Sequence, residues 1–179
     1  TYPHYRWEDG RPSGEHVLDA PMSDRHITFT NKLSEKLKKR FPDRDYRVMQ
    51  MAYHNSTWAP QQAVPDDSVF ISYVGNFPLN DPQERAYQKR KMASWNGLAP
   101  AMVYRPNKWV YGGFLGLPQI APQKLIEDYT FLVEHECVGI FVDTTWEHWS
   151  TTGPHLYLMG RLAWDPTQDG NALLDEYYQ

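Results

Sequence analysis

The run Val138-Gly139-Ile140-Phe141-Val142-Asp143, followed directly by Thr144-Thr145-Trp146-Glu147-His148-Trp149, decides the fold class of this chain. A short apolar run of this kind is typical of a buried parallel strand. Here the strand ends in a carboxylate and is followed by aromatic, acidic and imidazole side chains. In (β/α) barrels the active site lies at the carboxyl ends of the strands. The segment therefore predicts a barrel-type architecture with a site suited to a sugar.

The rest of the chain alternates between strand-like and helix-like segments. Residues 1–22 are rich in proline, glycine and charge, and we expect them to form a long loop. Apolar spacing, capping residues and Pro/Gly stops predict three further strands, at 46–53, 68–74 and 101–104, and five helices, at 23–41, 82–95, 122–133, 155–164 and 169–178. A Pro-rich loop is expected between the strands at 46–53 and 68–74.

This order predicts an α/β fold with a parallel sheet. Strands alternate with helices, and no short hairpin signal separates two strands, so right-handed crossovers should join them. About four βα units are visible, which is half of a TIM-type (β/α)8 barrel. We therefore expect residues 1–179 to form a single domain that corresponds to the C-terminal half of such a barrel. A half-barrel would leave strand edges and one face of its sheet uncovered.

The composition contains an unusually high proportion of aromatic residues. Phe, Trp and Tyr make up 15% of the 179 residues, with 7 Trp and 12 Tyr. Such rings either fill a core or stack on the apolar faces of pyranose rings, and composition alone does not separate the two roles.

Charge and motif content argue against several classes of function. The net charge of -4 argues against a nucleic-acid partner, and the two dense basic runs, at 36–40 and 89–91, fit solvated helix faces. No apolar run approaches the ~20 residues of a membrane span. The single cysteine, Cys137, excludes an internal disulfide and fits an inert buried position. The seven histidines show no metal-binding spacing, so we expect neither a metal nor another cofactor.

The ends of the first three predicted strands carry candidate sugar-binding residues. Each strand ends in aromatic or ionisable side chains, although any single tyrosine could serve packing instead. The candidates are Tyr53, His54 and Trp58 after the first strand, Tyr73 near the end of the second, and Tyr104, Arg105 and Trp109 at and after the third. Because the carboxyl ends of parallel strands meet at one edge of a sheet, these side chains should converge.

Several segments resemble a known bacterial family. They are the stretch from Met22 to Leu33, the tripeptide Phe41-Pro42-Asp43, the run Tyr157-Leu158-Met159-Gly160-Arg161-Leu162-Ala163-Trp164-Asp165-Pro166-Thr167, and the run from Leu173 to Tyr178. They are similar to the family named domain of unknown function 4838, whose members resemble glycoside hydrolases with a (β/α)8 barrel. The resemblance implies that this chain is the second half of the barrel. It also implies an extracellular or periplasmic location.

Glycoside hydrolysis usually needs two carboxyl groups on either side of the scissile bond. Glu8 and Asp9 lie where the resemblance places the loop that carries the acid, although an exposed acidic turn is an equally good interpretation. Asp143 is the candidate for the second carboxylate, because a carboxylate that ends an apolar strand is costly without a partner or a function. Its alternative role is a cap for the following loop. Trp146, Glu147 and His148 are candidates for sugar contact.

These residues support a carbohydrate-active protein with a carbohydrate as its substrate, and three hypotheses remain open. The first is a glycoside hydrolase that uses the carboxylates as acid and base or nucleophile. The second is a non-catalytic barrel that binds glycans through the same aromatic residues. The third is a structural half-domain whose partner is the missing N-terminal half of the barrel.

Overall fold

The computed structural model describes residues 6–8, 11–13, 22–106, 121–142 and 149–179. In chain order the elements are β1 (Arg6–Glu8), β2 (Arg11–Ser13), α1 (Ser23–Arg40), β3 (Val48–Ala52), a 3-10 turn (His54–Ser56), β4 (Val69–Val74), α2 (Pro82–Ala93), β5 (Met102–Arg105), α3 (Pro122–Glu134), β6 (Cys137–Ile140), α4 (Trp149–Trp164) and α5 (Gly170–Tyr178). The main sheet has four parallel strands in the order β3-β4-β5-β6.

The topology confirms the predicted α/β class. Each strand lies beside the next strand in the chain, and every pair is parallel. When successive strands are added at the same edge of a sheet, right-handed crossovers place all connecting segments on one face, as in a (β/α) barrel. In a doubly wound sheet the strand order reverses, and helices cover both faces. The sheet is therefore built like part of a TIM-type barrel.

One face of the sheet, the outer face, packs against helices. Its residues include Val69, Ile71 and Tyr73 of β4, each with no solvent exposure. They share a core cluster with Ile27 of α1, and the same cluster includes residues of α2 and α3. A second cluster joins α3, α4 and α5, through residues such as Leu125, Leu158 and Leu173. Helices α1, α2 and α3 therefore pack on the outer face of the sheet. Helices α4 and α5 are joined to them through α3.

The opposite face, here called the inner face, carries no described helix. Alternation along β3, β4 and β5 assigns it seven residues: Met49, Met51, Phe70, Ser72, Val74, Val103 and Arg105. A register shift between β5 and β6 pairs Val103 with Gly139, which adds Gly139 and the neighbouring Val138, for nine residues in all. Met49 and Val138 are 52% and 68% exposed, whereas Ser72 and Val74 are buried. Large exposed apolar side chains on this face are what the half-barrel hypothesis expects.

The structure corrects two details of the sequence prediction. The expected loop 1–22 contains a hairpin, in which β1 pairs antiparallel with β2 and Glu8 lies opposite Arg11. The fourth helix begins at Trp149 rather than at residue 155, with Pro154 inside it. The loop predicted between β3 and β4 is confirmed, because this crossover contains a 3-10 turn and no α-helix. The alternation of strands and helices is therefore interrupted once.

Side chains of α1 hold this helix-free crossover. The carboxylate of Asp24 accepts hydrogen bonds from the backbone N–H groups of Gln61, Gln62 and Ala63, at 2.9, 2.7 and 2.6 Å. Further along the helix, Lys38 forms an ion pair of 2.5 Å with Asp66. The bonds to Asp24 satisfy backbone N–H groups that a helical crossover would satisfy internally.

Candidate functional site

Four side chains line up across the sheet at the carboxyl ends of its strands. Val74 pairs with Arg105, and the same register places Tyr53 and Phe141 at this level, one residue beyond β3 and β6. Tyr53 has extended backbone angles, and the N–H of Phe141 continues the ladder by donating to the carbonyl of Tyr104 at 2.9 Å. We call Tyr53, Val74, Arg105 and Phe141 the upper row.

Arg105 crosses the inner face within this row. Its guanidinium carbon lies 5.4 Å from the ring centroid of Phe141, and its Nη1 lies 4.0 Å from the sulfur of Met51 on β3. The side chain therefore extends over β4, which lies between β3 and β5. Val74 on β4 is only 2% exposed although no described helix covers it. The guanidinium therefore packs on an aromatic ring and a thioether at the same time.

The end of β3 presents an aromatic ring and an imidazole. The rings of Tyr53 and His54 are in contact, with centroids 3.8 Å apart. His54 is exposed and has a φ of 51°, which lies in the left-handed region that a non-glycine residue seldom adopts. The hydroxyl of Ser56 donates to the carbonyl of Tyr53 and accepts from its N–H. The turn is therefore fixed by local hydrogen bonds, and strain at a strand end is typical of functional sites.

The end of β4 adds Asn76, which the sequence analysis did not select. Asn76 is half-buried and lies two residues after β4. The next residue, Phe77, is held because its carbonyl accepts a hydrogen bond of 3.1 Å from Arg85 of α2. Arg85 is itself paired with the buried Asp128 of α3. The sequence could have indicated both Asn76 and Phe141 as candidates, because each lies just beyond an apolar strand. In barrel folds the residues at the carboxyl ends of the strands build the site.

Three of the predicted sugar-binding residues pack against the protein instead. Tyr73 is fully buried on the outer face, and its hydroxyl donates to the carbonyl of Gln88 at 3.2 Å. Tyr104 is 8% exposed and stacks on Phe77, with centroids 5.1 Å apart. Burial raises the pKa of both tyrosines well above the usual value. Trp58 makes an edge contact with Tyr87 of α2. These positions argue against direct sugar contact by Tyr73 and Tyr104, and they orient Trp58 toward the helices.

The remaining candidates lie largely outside the described residues. Asp9, Trp109, Asp143, Trp146, Glu147 and His148 all belong to this group. Glu8 is described only as a backbone position of β1. Among the described strand ends, the inner face thus presents the aromatic rings of Tyr53 and Phe141 and the guanidinium of Arg105. The roles of the candidate carboxylates stay predictions.

Two concavities adjoin the described sheet, and the first is lined in part by Asn76 and Pro106, which follow β4 and β5. A cavity of about 30 Å³ between the sheet and α3 and α4 is lined by Tyr104 and Asp128, and it has room for one water molecule. A cleft of about 400 Å³ lies at the amino-terminal ends of β5 and β6, where His135 and Cys137 line it. In barrel folds that end contributes to stability rather than catalysis. No group of three metal-ligating side chains occurs within the described ranges.

No helix in the described part of the chain is both long and apolar enough to cross a membrane. No curated protein and no solved structure matches the chain. A family model does match, over residues 14–179, and its description is "domain of unknown function (DUF4838)". The match covers nearly the whole chain, including the parallel sheet and all five helices. The chain therefore belongs to the DUF4838 family.

Proposed function

We propose that this chain is a carbohydrate-active protein, namely part of a glycoside-hydrolase-type barrel whose sugar site is built on the upper row. The observation that supports the proposal most directly is that Tyr53, Arg105 and Phe141 lie at one level on the inner face, at the carboxyl ends of a parallel sheet. Aromatic rings bind the apolar faces of sugars, and guanidinium and amide groups bind their hydroxyls.

The chemistry that we propose is hydrolysis by two carboxyl groups. Glu8 or Asp9 would serve as the general acid, and Asp143 as the nucleophile or base. Trp146, Glu147, His148 and Trp109 would then extend the sugar-binding surface beyond the upper row. Facing carboxyl groups about 5 to 10 Å apart would be needed for this role.

A binding function without catalysis is the second candidate. Across β3 to β6 the inner face carries no carboxylate, so this part of the sheet is equipped for recognition rather than for acid–base chemistry. The proposal also implies a partner for the uncovered inner face, which we take to be the other half of the barrel. From the family resemblance we propose an extracellular or periplasmic location and a bacterial source.

The test combines hydrolysis and binding on the full chain. The purified protein is screened with aryl glycosides and with plant and algal glycans, alongside the Glu8→Gln and Asp143→Asn variants. Turnover that either variant abolishes supports the hydrolase. Saturable glycan binding without turnover, lost in Trp146→Ala, supports the binding function instead.

The upper row is tested separately, with a matched tyrosine as control. Tyr53→Ala should weaken glycan binding roughly threefold to tenfold, because one stacking surface is lost. Tyr178→Ala removes an exposed tyrosine from α5 and should leave binding unchanged. Equal behaviour of the two variants, or no binding and no turnover in the wild type, would contradict the proposal.

A further inference from the structure

We infer that Asn96 is a site of spontaneous deamidation, and that a hydrogen bond from Gly97 to Glu136 slows this reaction in the folded chain. The modification needs water as its only co-reactant, and it is separate from any glycan chemistry on the upper row. Three features support it: the residue that follows Asn96, the turn in which Asn96 lies, and the contact with Glu136.

The residue after Asn96 leaves the reaction unobstructed. The chain contains seven asparagines, and Asn96 is the one that a glycine follows. In deamidation the backbone nitrogen of the following residue attacks Cγ of the asparagine, and a side chain on that residue hinders the approach. Gly97 has no side chain, and the space that its Cβ would occupy has no described atom within 4 Å. Asn96 is therefore the asparagine of this sequence with the least hindered neighbour.

The turn that contains Asn96 is open to water. Asn96 and Gly97 lie just after α2, and both are exposed. The N–H of Leu98 donates to the carbonyl of Trp95 at 3.1 Å, and Gly97 has a φ of 70°, in the left-handed region that favours glycine. Trp95 is 2% exposed and anchors the turn in the core. The amide of Asn96 is thus on the solvent side of an anchored turn.

The reaction balances with the chain and water alone. A bond forms between the nitrogen of Gly97 and Cγ of Asn96, and the bond from Cγ to the side-chain nitrogen breaks. That nitrogen leaves as ammonia with the proton from the Gly97 N–H, and a five-membered succinimide ring remains. Water then adds to one of the two ring carbonyl carbons and opens the ring. The product at position 96 is aspartate or isoaspartate, according to which carbonyl reacts.

The contact with Glu136 holds the attacking nitrogen in its unreacted form. The N–H of Gly97 donates to Oε2 of Glu136 at 3.1 Å. Glu136 lies between α3 and β6, so this bond joins the turn after α2 to the turn before β6. The succinimide has no N–H at Gly97, and the bond must therefore break before the ring closes. Its loss adds to the barrier, and Glu136 slows the reaction.

Deamidation changes the charge of the cleft at the amino-terminal ends of β5 and β6. Asn96 and Glu136 both line this cleft. The reaction adds a carboxylate at position 96, and like charges that lie close together repel. Isoaspartate also lengthens the main chain by one carbon atom. The hydrogen bond between the two turns is therefore weaker in the product than in the unmodified chain.

The experiment follows the modification in the purified full chain over several weeks at mildly alkaline pH. Tandem mass spectrometry of proteolytic peptides measures the mass gain at Asn96, and an isoaspartate methyltransferase with a labelled methyl donor reports isoaspartate. Asn171 is the internal control, because it is also exposed but is followed by Ala172 within α5. A synthetic peptide of residues 92–100 gives the rate without Glu136.

Three variants separate the hydrogen bond from the charge of Glu136. Glu136→Gly removes the carboxylate, and glycine adopts the φ of 59° at this position without strain. Glu136→Gln keeps a side-chain oxygen that can accept the bond from Gly97. Glu134→Ala removes a different exposed acid, at the end of α3. Circular dichroism confirms that each variant is folded.

We expect deamidation at Asn96 in the wild type and much less at Asn171. Glu136→Gly should raise the rate roughly threefold to tenfold, toward that of the peptide, since one hydrogen bond to a charged acceptor is lost at an exposed position. Glu136→Gln should raise it less, and Glu134→Ala should leave it unchanged.

Other outcomes would overturn the inference in distinguishable ways. Absence of product at Asn96 in the folded chain, or equal product at Asn171, removes Asn96 as a specific site. Equal rates in the wild type and Glu136→Gly remove Glu136 as the restraint, and a lower rate in Glu136→Gly shows that the carboxylate promotes the reaction. An increase in Glu134→Ala as large as that in Glu136→Gly assigns the effect to overall charge.

Discussion

At the scale of single residues, His155 of α4 is a buried histidine that must stay neutral. It is 2% exposed, and its Nε2 accepts a hydrogen bond of 2.8 Å from the backbone N–H of Ala121. An accepting Nε2 carries no proton, so the neutral ring holds its proton on Nδ1. Burial lowers the pKa of His155 from the usual value.

This shift predicts a loss of stability on mild acidification. The unfolded chain takes up a proton at His155 near the ordinary pKa of 6.5, whereas the folded chain does so only at lower pH. The contribution to stability is therefore complete above pH 6.5 and declines as the pH falls below it. Urea unfolding between pH 5 and 7.5 should show this decline in the wild type and a smaller one in His155→Gln.

His54→Gln is the matched control, because it makes the same replacement at an exposed position. At pH 7.5, His155→Ala should cost about 1 to 3 kcal/mol, since the N–H of Ala121 loses its acceptor. If His155→Gln and the wild type have the same pH dependence, another group is responsible for it.

At the scale of elements, α2 and α3 are joined by a buried ion pair. Arg85 of α2 contacts Asp128 of α3, and Lys89 reaches the same carboxylate at 2.9 Å. Nη2 of Arg85 also donates to the carbonyl of Lys124 at 3.2 Å. Together with the bond to Phe77, this arrangement fixes both helices relative to the segment that follows β4. The course of the chain after β4, including Asn76, therefore depends on groups that lie on the helix side of the sheet.

Removing one partner of this pair should be strongly destabilising. Asp128→Ala leaves a buried guanidinium without its carboxylate, and we expect the free energy of unfolding to fall by about 3 to 5 kcal/mol. Glu127→Ala is the matched control, since Glu127 is the adjacent acid on α3 and its side chain is 53% exposed. The control should cost at most about 1 kcal/mol. Chemical denaturation measures both, and equal effects would refute a special role for the buried pair.

At the scale of the whole molecule, the described helices cover one face of the sheet, and part of the opposite face is exposed. Met49, Val138 and Phe141 are each more than half exposed on the inner side of the sheet. The strands at both ends of the order, β3 and β6, have a neighbour in the described sheet on one side only. Uncovered apolar surface and open parallel edges are sources of association unless a partner segment covers them.

We therefore predict that the isolated chain associates as its concentration rises. Sedimentation velocity should detect the association, and fluorescence of a hydrophobic dye should report the exposed face. Val138→Lys should reduce both signals, because it places a charge on the inner face. Val133→Lys, at a residue of α3 that is 49% exposed, is the control on the helix side. A monomer without dye binding would show that the inner face is covered within the chain.

The sequence by itself determined the order of the elements and most of their bounds. The helix predicted at 122–133 is observed at Pro122–Glu134, and the strand predicted at 68–74 is observed at Val69–Val74, because local apolar spacing and Pro/Gly stops act over a few residues. The same local signals indicated that polar and aromatic groups would gather at strand ends. They correctly identified Tyr53 and Arg105 as strand-end residues.

Tertiary structure alone decided which face each strand-end residue occupies. Tyr104 and Arg105 are adjacent in sequence, yet one fills the core and the other projects from the inner face, because a shift of one residue in register exchanges the two faces of a strand. It also decided that Asp24 and Asp66 would hold a crossover without a helix, and that Arg85 would meet Asp128. Such contacts join residues that are more than thirty positions apart in the chain, and local sequence patterns do not encode that pairing.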